Sequence, residues 1–256
     1  PKTKLGPYLA LVRLLGSRTA ELHLALAGER EDPAFVPEPF TLLHQRSIYQ
    51  SARSLLVATF DTMRRQLDRL PPPAAALASQ LLPRRKEIEQ RLAAITREKI
   101  DAVRTRVHGD LHLGQILYSA GDFVFLDFEG EPARTLSERR RKRSPLRDVA
   151  ALLRSFHYAA ATALTGEGVR EQDIPVLAPW ARTWPEWVGA QWLGAWLDGV
   201  GDAPFVPRDP TVLARMLDFY LLEKCIYEVH YELANRPTWL AIPLEGLVRL
   251  LDAGAT

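Results

Sequence analysis

A single cysteine, Cys225, means that no disulfide can form within the chain. A disulfide-dense scaffold and a cysteine-ligated zinc module are both excluded. Long apolar runs are also missing. None approaches the roughly 18 uninterrupted residues of a membrane span. The opening Pro1-Lys2-Thr3-Lys4-Leu5-Gly6 lacks the apolar core of a secretion signal. Neither sign of charge dominates: 33 Lys and Arg stand against 31 Asp and Glu. That balance does not advertise a nucleic-acid partner. The expected setting is reducing, hence cytoplasmic, with no membrane and no nucleic acid involved. An initiating Met is absent, and the expectation is a piece of a longer polypeptide. What remains is an ordinary globular mixture, 47% hydrophobic in 256 residues, enough to bury a core without staples.

Periodicity predicts a mostly helical chain. Leu9, Val12, Leu15, Leu22 and Leu26 recur at helical spacing, with Gly16-Ser17 as the expected break between two helices. Pro33, Pro37 and Pro39 predict an extended connector. Residues 41–70 read as one long helix or two in series, stopped by Pro71-Pro72-Pro73. Arg84 to Val103 reads as a second strong helix burying Ile88, Leu92, Ile95 and Ile100. The pattern then changes. Arg106-Val107-His108 reads as a strand, and Ile116-Leu117-Tyr118 and Phe123 to Asp127 read as a hairpin around Ser119-Ala120-Gly121-Asp122. Helices follow at roughly 146–163, 187–198, 210–235 and 243–252. The expected organisation is a helical region, 1–104, packing on a catalytic and substrate-binding unit, 105–256.

The chemistry concentrates in His108-Gly109-Asp110-Leu111-His112-Leu113-Gly114-Gln115 and in Asp127-Phe128-Glu129, directly after the hairpin. A hairpin can bring a loop carboxylate, an amide and a second carboxylate together. Phosphoryl transfer to a hydroxyl needs that set: one carboxylate to accept the proton, the others to hold the Mg²⁺ that neutralises nucleotide phosphates. Magnesium prefers such oxygen donors. Asp110 is therefore the expected base, Asp127 the principal metal ligand and Gln115 the second. Glu129 is placed to contact metal or substrate. His108 is expected to bond backbone near the loop, and His112 to do the same or line the substrate pocket. With no third soft ligand nearby, the two do not make a zinc site.

These segments resemble the aminoglycoside-phosphotransferase-like branch of the protein-kinase-like fold, and within it the bacterial maltokinases, including those fused to trehalose synthase. The resemblance rests on Gly16-Ser17-Arg18-Thr19-Ala20-Glu21-Leu22-His23, Pro37-Glu38-Pro39-Phe40 and Val107 to Leu117. It continues through Leu126 to Pro132, Ser144 to Ala150, and Glu223-Lys224 through Tyr231 to Pro237. It implies the helical C-terminal lobe of such a fold, with a small hairpin sheet and the N-terminal β-rich lobe absent. No glycine-rich phosphate loop or strand-borne Lys precedes residue 105. It implies ATP and Mg²⁺ as cofactors. It implies phosphorylation of maltose at its anomeric hydroxyl, giving maltose 1-phosphate, by the full-length parent, with trehalose synthase as a fused or associated partner. The 256 residues alone are expected to transfer little phosphate. Asp148 resembles the buried helix-start aspartate that braces the catalytic loop in kinase-like folds. Lys224, Tyr227 and Tyr231 share one helix face, and their counterparts in maltokinases look like sugar contacts.

Other readings stay open at this stage. A kinase of an aminoglycoside, choline or another sugar has the same loop. A non-catalytic sugar-binding or docking domain of a fusion protein is the other class. Trp180, Trp184, Trp187, Trp192 and Trp196 are expected to pack in a core more than to form a sugar platform, with Pro179, Pro185 and Gly189 marking a helix–loop–helix. Arg139 to Arg143 reads as a solvated loop, and Arg134 as a weaker phosphate or sugar contact.

Overall fold

Most of the chain is helical, as the spacing of its apolar residues predicts. The computed structural model describes residues 2–28, 31–131, 135–166 and 168–253; Arg134 lies outside them. In chain order the elements are α1 (Lys2–Gly28), β1 (Glu38–Pro39), α2 (Leu42–Gln66), α3 (Pro72–Leu81), α4 (Arg85–Ala93), β2 (Val103–Arg104), β3 (Ile116–Ser119) and β4 (Asp122–Phe125). Then come α5 (Leu136–Arg139), α6 (Leu146–Ala163), α7 (Ile174–Val200), α8 (Pro210–Asn235) and α9 (Ala241–Ala253). Two units interleave along the sequence. One is Pro1–Pro39 with Ala102–Arg208, the other Phe40–Asp101 with Asp209–Thr256. The sequence suggested a single boundary at 104.

In the first unit α1 lies along α7. Gly16 does not break α1, contrary to expectation. It lets the two helices approach: a Cβ there would stand 2.4 Å from the Trp192 carbonyl oxygen and 2.8 Å from the Ala195 Cβ. The same contact keeps α7 in one piece. Pro179 and Pro185 lie inside that helix rather than in a loop, and the Thr183 hydroxyl donates to the Pro179 carbonyl. Trp192 and Trp196 are fully buried, whereas Trp180, Trp184 and Trp187 line an apolar cleft of about 570 Å³ beside Ala159 and Leu177. α6 packs on α7 and adds Val149, Leu152 and Phe156 to this core.

Two antiparallel two-stranded sheets complete the unit. β1 pairs with β2, setting Glu38 opposite Arg104. The strand expected over Arg106–His108 thus falls earlier, because Val103 and Arg104 find a partner and Thr105 bridges Arg143. β3 and β4 form the expected hairpin, Ile116 opposite Phe125. Its turn residues Ala120 and Gly121 both have positive φ, the twist a two-residue hairpin turn requires.

In the second unit Thr41 caps α2 by accepting the His44 N–H. The helix expected over Arg84–Val103 is shorter. α4 ends at Ala93, followed by a 3-10 turn, because buried Gln45 replaces the helical hydrogen bonds. Its side-chain amide donates to the Ile95 and Glu98 carbonyls and accepts from the Ile100 N–H. The isoleucines Ile88, Ile95 and Ile100 stay buried, as expected. α3 was not foreseen. It begins inside the proline triplet, where Pro fits a helix's first turn, and its Ala74, Ala78 and Leu81 are buried. α8 packs on α2, α4 and α9, and an Arg91–Asp218 ion pair joins α4 to α8.

Gly16→Ala is expected to lower stability by about 1–3 kcal/mol through overpacking between α1 and α7. Gly194→Ala, where nothing lies within 4 Å, is expected to gain about 0.5–1 kcal/mol. Urea unfolding of both variants checks the pair.

Candidate active site

Asp148 sits in the first turn of α6 and is 1% exposed. Its carboxylate accepts the His108 N–H at 2.8 Å and the Gly109 N–H at 3.0 Å. Two turns further along α6, the Ser155 hydroxyl accepts the Leu113 N–H at 3.0 Å. One helix face therefore holds both ends of the loop that carries Asp110. Gly109 has φ +89, a conformation glycine adopts readily. A Cβ there would lie 3.6 Å from the Gly130 Cα, so the loop passes close to the segment after β4.

His108 joins these two pieces. Its Nε2 lies 2.8 Å from the Leu126 carbonyl oxygen, which can only accept, so Nε2 carries the proton. Nδ1 then accepts the Asp110 N–H at 3.4 Å. The ring also lies 4.9 Å from the Phe128 ring. The expectation of a backbone-bonding role for His108 is met. The Asp110 carboxylate is half-buried and has no hydrogen-bond partner among the described residues.

Gln115 and Asp127 meet directly. The Leu126 N–H donates to the Gln115 carbonyl at 2.9 Å, and the Gln115 side-chain amide donates to Asp127 Oδ2 at 2.9 Å. Asp127 has φ +61, unusual for a residue with a Cβ and costing about 1–2 kcal/mol. The strain turns an exposed carboxylate off the strand end beside the amide. Glu129 is more peripheral, with its side chain 82% exposed and 3.8 Å from Arg139. His112 Nδ1 accepts the Gly114 N–H at 3.1 Å and caps the short turn, a loop-holding contact.

These donors fit a magnesium site. Asp127 and Gln115 offer hard oxygens once the Gln115 amide turns its oxygen outward. One carboxylate and one carbonyl suit an ion that completes its shell with phosphates and water. Among the described residues no group of three His, Cys, Asp or Glu forms a closed metal cage.

The remaining expected contacts lie on α8, in the other unit. Lys224 Nζ stands 5.1 Å over the Tyr227 ring, and Tyr227 stacks with Tyr231 at 6.4 Å. Arg236 covers Tyr231 at 5.4 Å and pairs with buried Glu232. Tyr231 is half-exposed, so this face is a mixed aromatic and cationic ladder.

Sequence reasoning missed three features. Arg18 Nε pairs with Asp122 at 2.8 Å, tying α1 to the hairpin and holding the Asp122 carboxyl below its usual range. Leu117, Val124 and Leu126 leave an exposed apolar face on that hairpin. The signal for it was present, since apolar residues run consecutively through the hairpin instead of alternating. The basic run also differs from the expected solvated loop. Lys142 Nζ bonds the Pro33 carbonyl at 2.8 Å and Glu38 at 3.0 Å, with its side chain only 9% exposed.

A loop clamped from a buried helix start and joined through His108 to a hairpin end that carries an Asp–Gln pair is compatible with the helical part of a kinase-like fold. The chain is 26% identical over 246 residues to a glucosamine kinase of Mycolicibacterium smegmatis, covering 96% of this chain and 54% of that protein. It is 25% identical over 254 residues to a glucosamine kinase of Streptacidiphilus jiangxiensis, covering 93% and 48%. No protein-family model matches. Among solved structures, a glucosamine kinase in one crystal form superposes with a TM-score of 0.76 at 22% identity, over 97% of this chain and 54% of that one. A glucosamine kinase in complex with glucosamine, ADP and inorganic phosphate gives 0.73 at 22%, over 96% and 56%. The chain thus spans about half the length of the relatives it matches.

These relatives overturn the maltokinase expectation, and with it maltose as partner and the trehalose synthase fusion.

The Asp148 carboxyl feels burial, which raises it, but the bonds from His23 and Gly109 outweigh this and hold it below the usual carboxylate range. A lowered folded-state pKa stabilises fully above the unfolded value near ~4 and is lost as pH falls through the folded value. Asp148→Asn is expected to flatten the fall in stability on acidification, measured by urea unfolding between neutral and acid pH. Asp148→Ala, leaving two N–H groups unpaired, is expected to cost about 3 kcal/mol at neutral pH.

Proposed function

We propose that the protein carrying this chain transfers the terminal phosphoryl group of ATP to a hydroxyl of an amino sugar of the glucosamine type. The single observation that supports this most is the hydrogen-bonded connection from Asp110 through His108 to the Gln115–Asp127 pair. The names of the relatives, and the glucosamine and ADP bound to a neighbour of like fold, favour the same reading.

Asp110 accepts the proton of the attacking hydroxyl, and its unpartnered carboxylate is available for that bond. His108 fixes the loop so that this carboxylate keeps its place relative to the hairpin end. Asp127, with Gln115 after an amide turn, holds Mg²⁺, and Glu129 stands nearby for a contact with metal or substrate. When bound there the ion neutralises phosphate charge. The open apolar face of Leu117, Val124 and Leu126 suits one side of a flat nucleobase. Tyr227 and Tyr231 offer ring faces for a sugar's C–H surface, and Lys224 a hydrogen-bond donor for its edge. Asp148 supports the loop. Because the relatives are about twice as long, the reading assigns the rest of the nucleotide clamp to residues outside these 256. A requirement for ATP and a single buried Cys225 both accord with the cytoplasm.

The test measures ADP release by the protein carrying this chain with glucosamine, maltose and an aminoglycoside. Release is expected with glucosamine. Turnover confined to another acceptor would overturn the substrate, and none with any sugar would overturn the class. Asp110→Asn is expected to lower turnover about 10²–10⁴-fold without loss of helical circular dichroism. Asp127→Asn is expected to raise the Mg²⁺ concentration needed for half the maximal rate.

A further inference from the structure

The Gly16-to-His23 segment resembled a family motif, yet the proposed chemistry uses none of its residues. Its last member explains why it is there. His23 is fully buried in α1, and its Nδ1 lies 2.9 Å from the indole Nε1 of Trp196, also fully buried, in α7. The rings meet edge to face at 83°. An indole N–H can only donate, so Nδ1 must be the acceptor and carries no proton. The proton of the ring therefore sits on Nε2. That nitrogen faces Asp148 Oδ2 at 3.4 Å.

We infer that His23 and Trp196 are positioning residues for phosphoryl transfer, acting through Asp148 on the loop that carries Asp110. This rests on the kinase reading. Trp196 selects the tautomer, the tautomer makes His23 a donor to Asp148, and Asp148 holds the two peptide N–H groups immediately before Asp110. Without the indole N–H nothing anchors Nδ1, and the ring can swing so that its Nε2–H leaves the carboxylate. Loss of that donor would loosen Asp148 and the His108–Gly109 backbone with it. α1 has a second arm: Arg18 holds Asp122, at the start of the strand that runs on to Asp127. One helix thus sets the positions of both the base and the principal metal ligand.

Isotope-labelled NMR of this chain gives the first test. The ring nitrogen shifts of His23 are expected to show the neutral Nε2–H tautomer, with the Trp196 indole proton close to the ring. A ring protonated at Nδ1 overturns the proposal, whatever happens to any variant. The second test is Trp196→Phe, which keeps a large ring and removes only the donor. Amide exchange at His108 and Gly109 is expected to quicken about tenfold relative to the core amides of α6. In the protein carrying this chain, turnover is expected to fall about tenfold at unchanged KM for the sugar. If the two amides quicken no more than those of α6, the role is general packing and the proposal fails. Failure of the kinase reading would show separately, as absence of turnover in the unsubstituted protein, and would leave the tautomer and exchange results standing.

Discussion

A negative charge held out of water is the constraint around which the candidate site is built. Asp148 is almost completely buried, and a carboxylate in that position is tolerable only if every lone pair facing the protein has a donor. The donors it finds are the backbone of a loop and the ring of a distant histidine. The desolvation that such a group suffers and the loop order that it imposes are therefore two aspects of one interaction. A side chain with no acceptor in the same position would leave the peptide groups before Asp110 free to turn. The N-terminal end of α6 contributes as well, since the helix dipole favours a negative charge there.

The rigidity of the loop is borrowed from the helices behind it. α1 and α7 approach closely because glycine and alanine stand where they cross: a Cβ at Gly16 or Gly199 would collide with the opposite helix. Such close packing permits little sliding, so groups hung from either helix inherit a fixed separation. Against this background the unfavourable backbone of Asp127 is informative. A strained residue persists where its surroundings leave no alternative, and here the surroundings are the Gln115 amide and the hydrogen-bonded end of the hairpin.

Much of this was legible in the sequence because it depends on local order. The hairpin, the start of α6 and the run from His108 to Gln115 are written in contiguous residues, and the meeting of Gln115 with Asp127 follows from their places on either side of the hairpin. What was not legible depends on contacts between residues far apart. Gly16 looks like a helix breaker until Trp192 is beside it. Ile95 and Ile100 continue a helical pattern, yet Gln45 takes over the backbone there and the helix stops. The prolines of α7 argue for a loop when read locally, and packing along α1 overrides them. A face of tyrosines and one lysine does not distinguish a neutral disaccharide from an amino sugar, because both present hydroxyl edges and C–H faces to such groups.

The interleaving of the two units bears on how the chain comes to be folded. As the chain leaves the ribosome, α1 emerges before its partner α7, which follows only after the whole stretch from Gly28 to Ile174 has been made. Until then the apolar side of α1 has nothing to cover it, and closing so long an intervening loop carries an entropic cost. Neither unit is a contiguous stretch that could fold by itself during synthesis. The nascent chain must keep an uncovered helix soluble while those residues are made, which exposes it to aggregation over that interval.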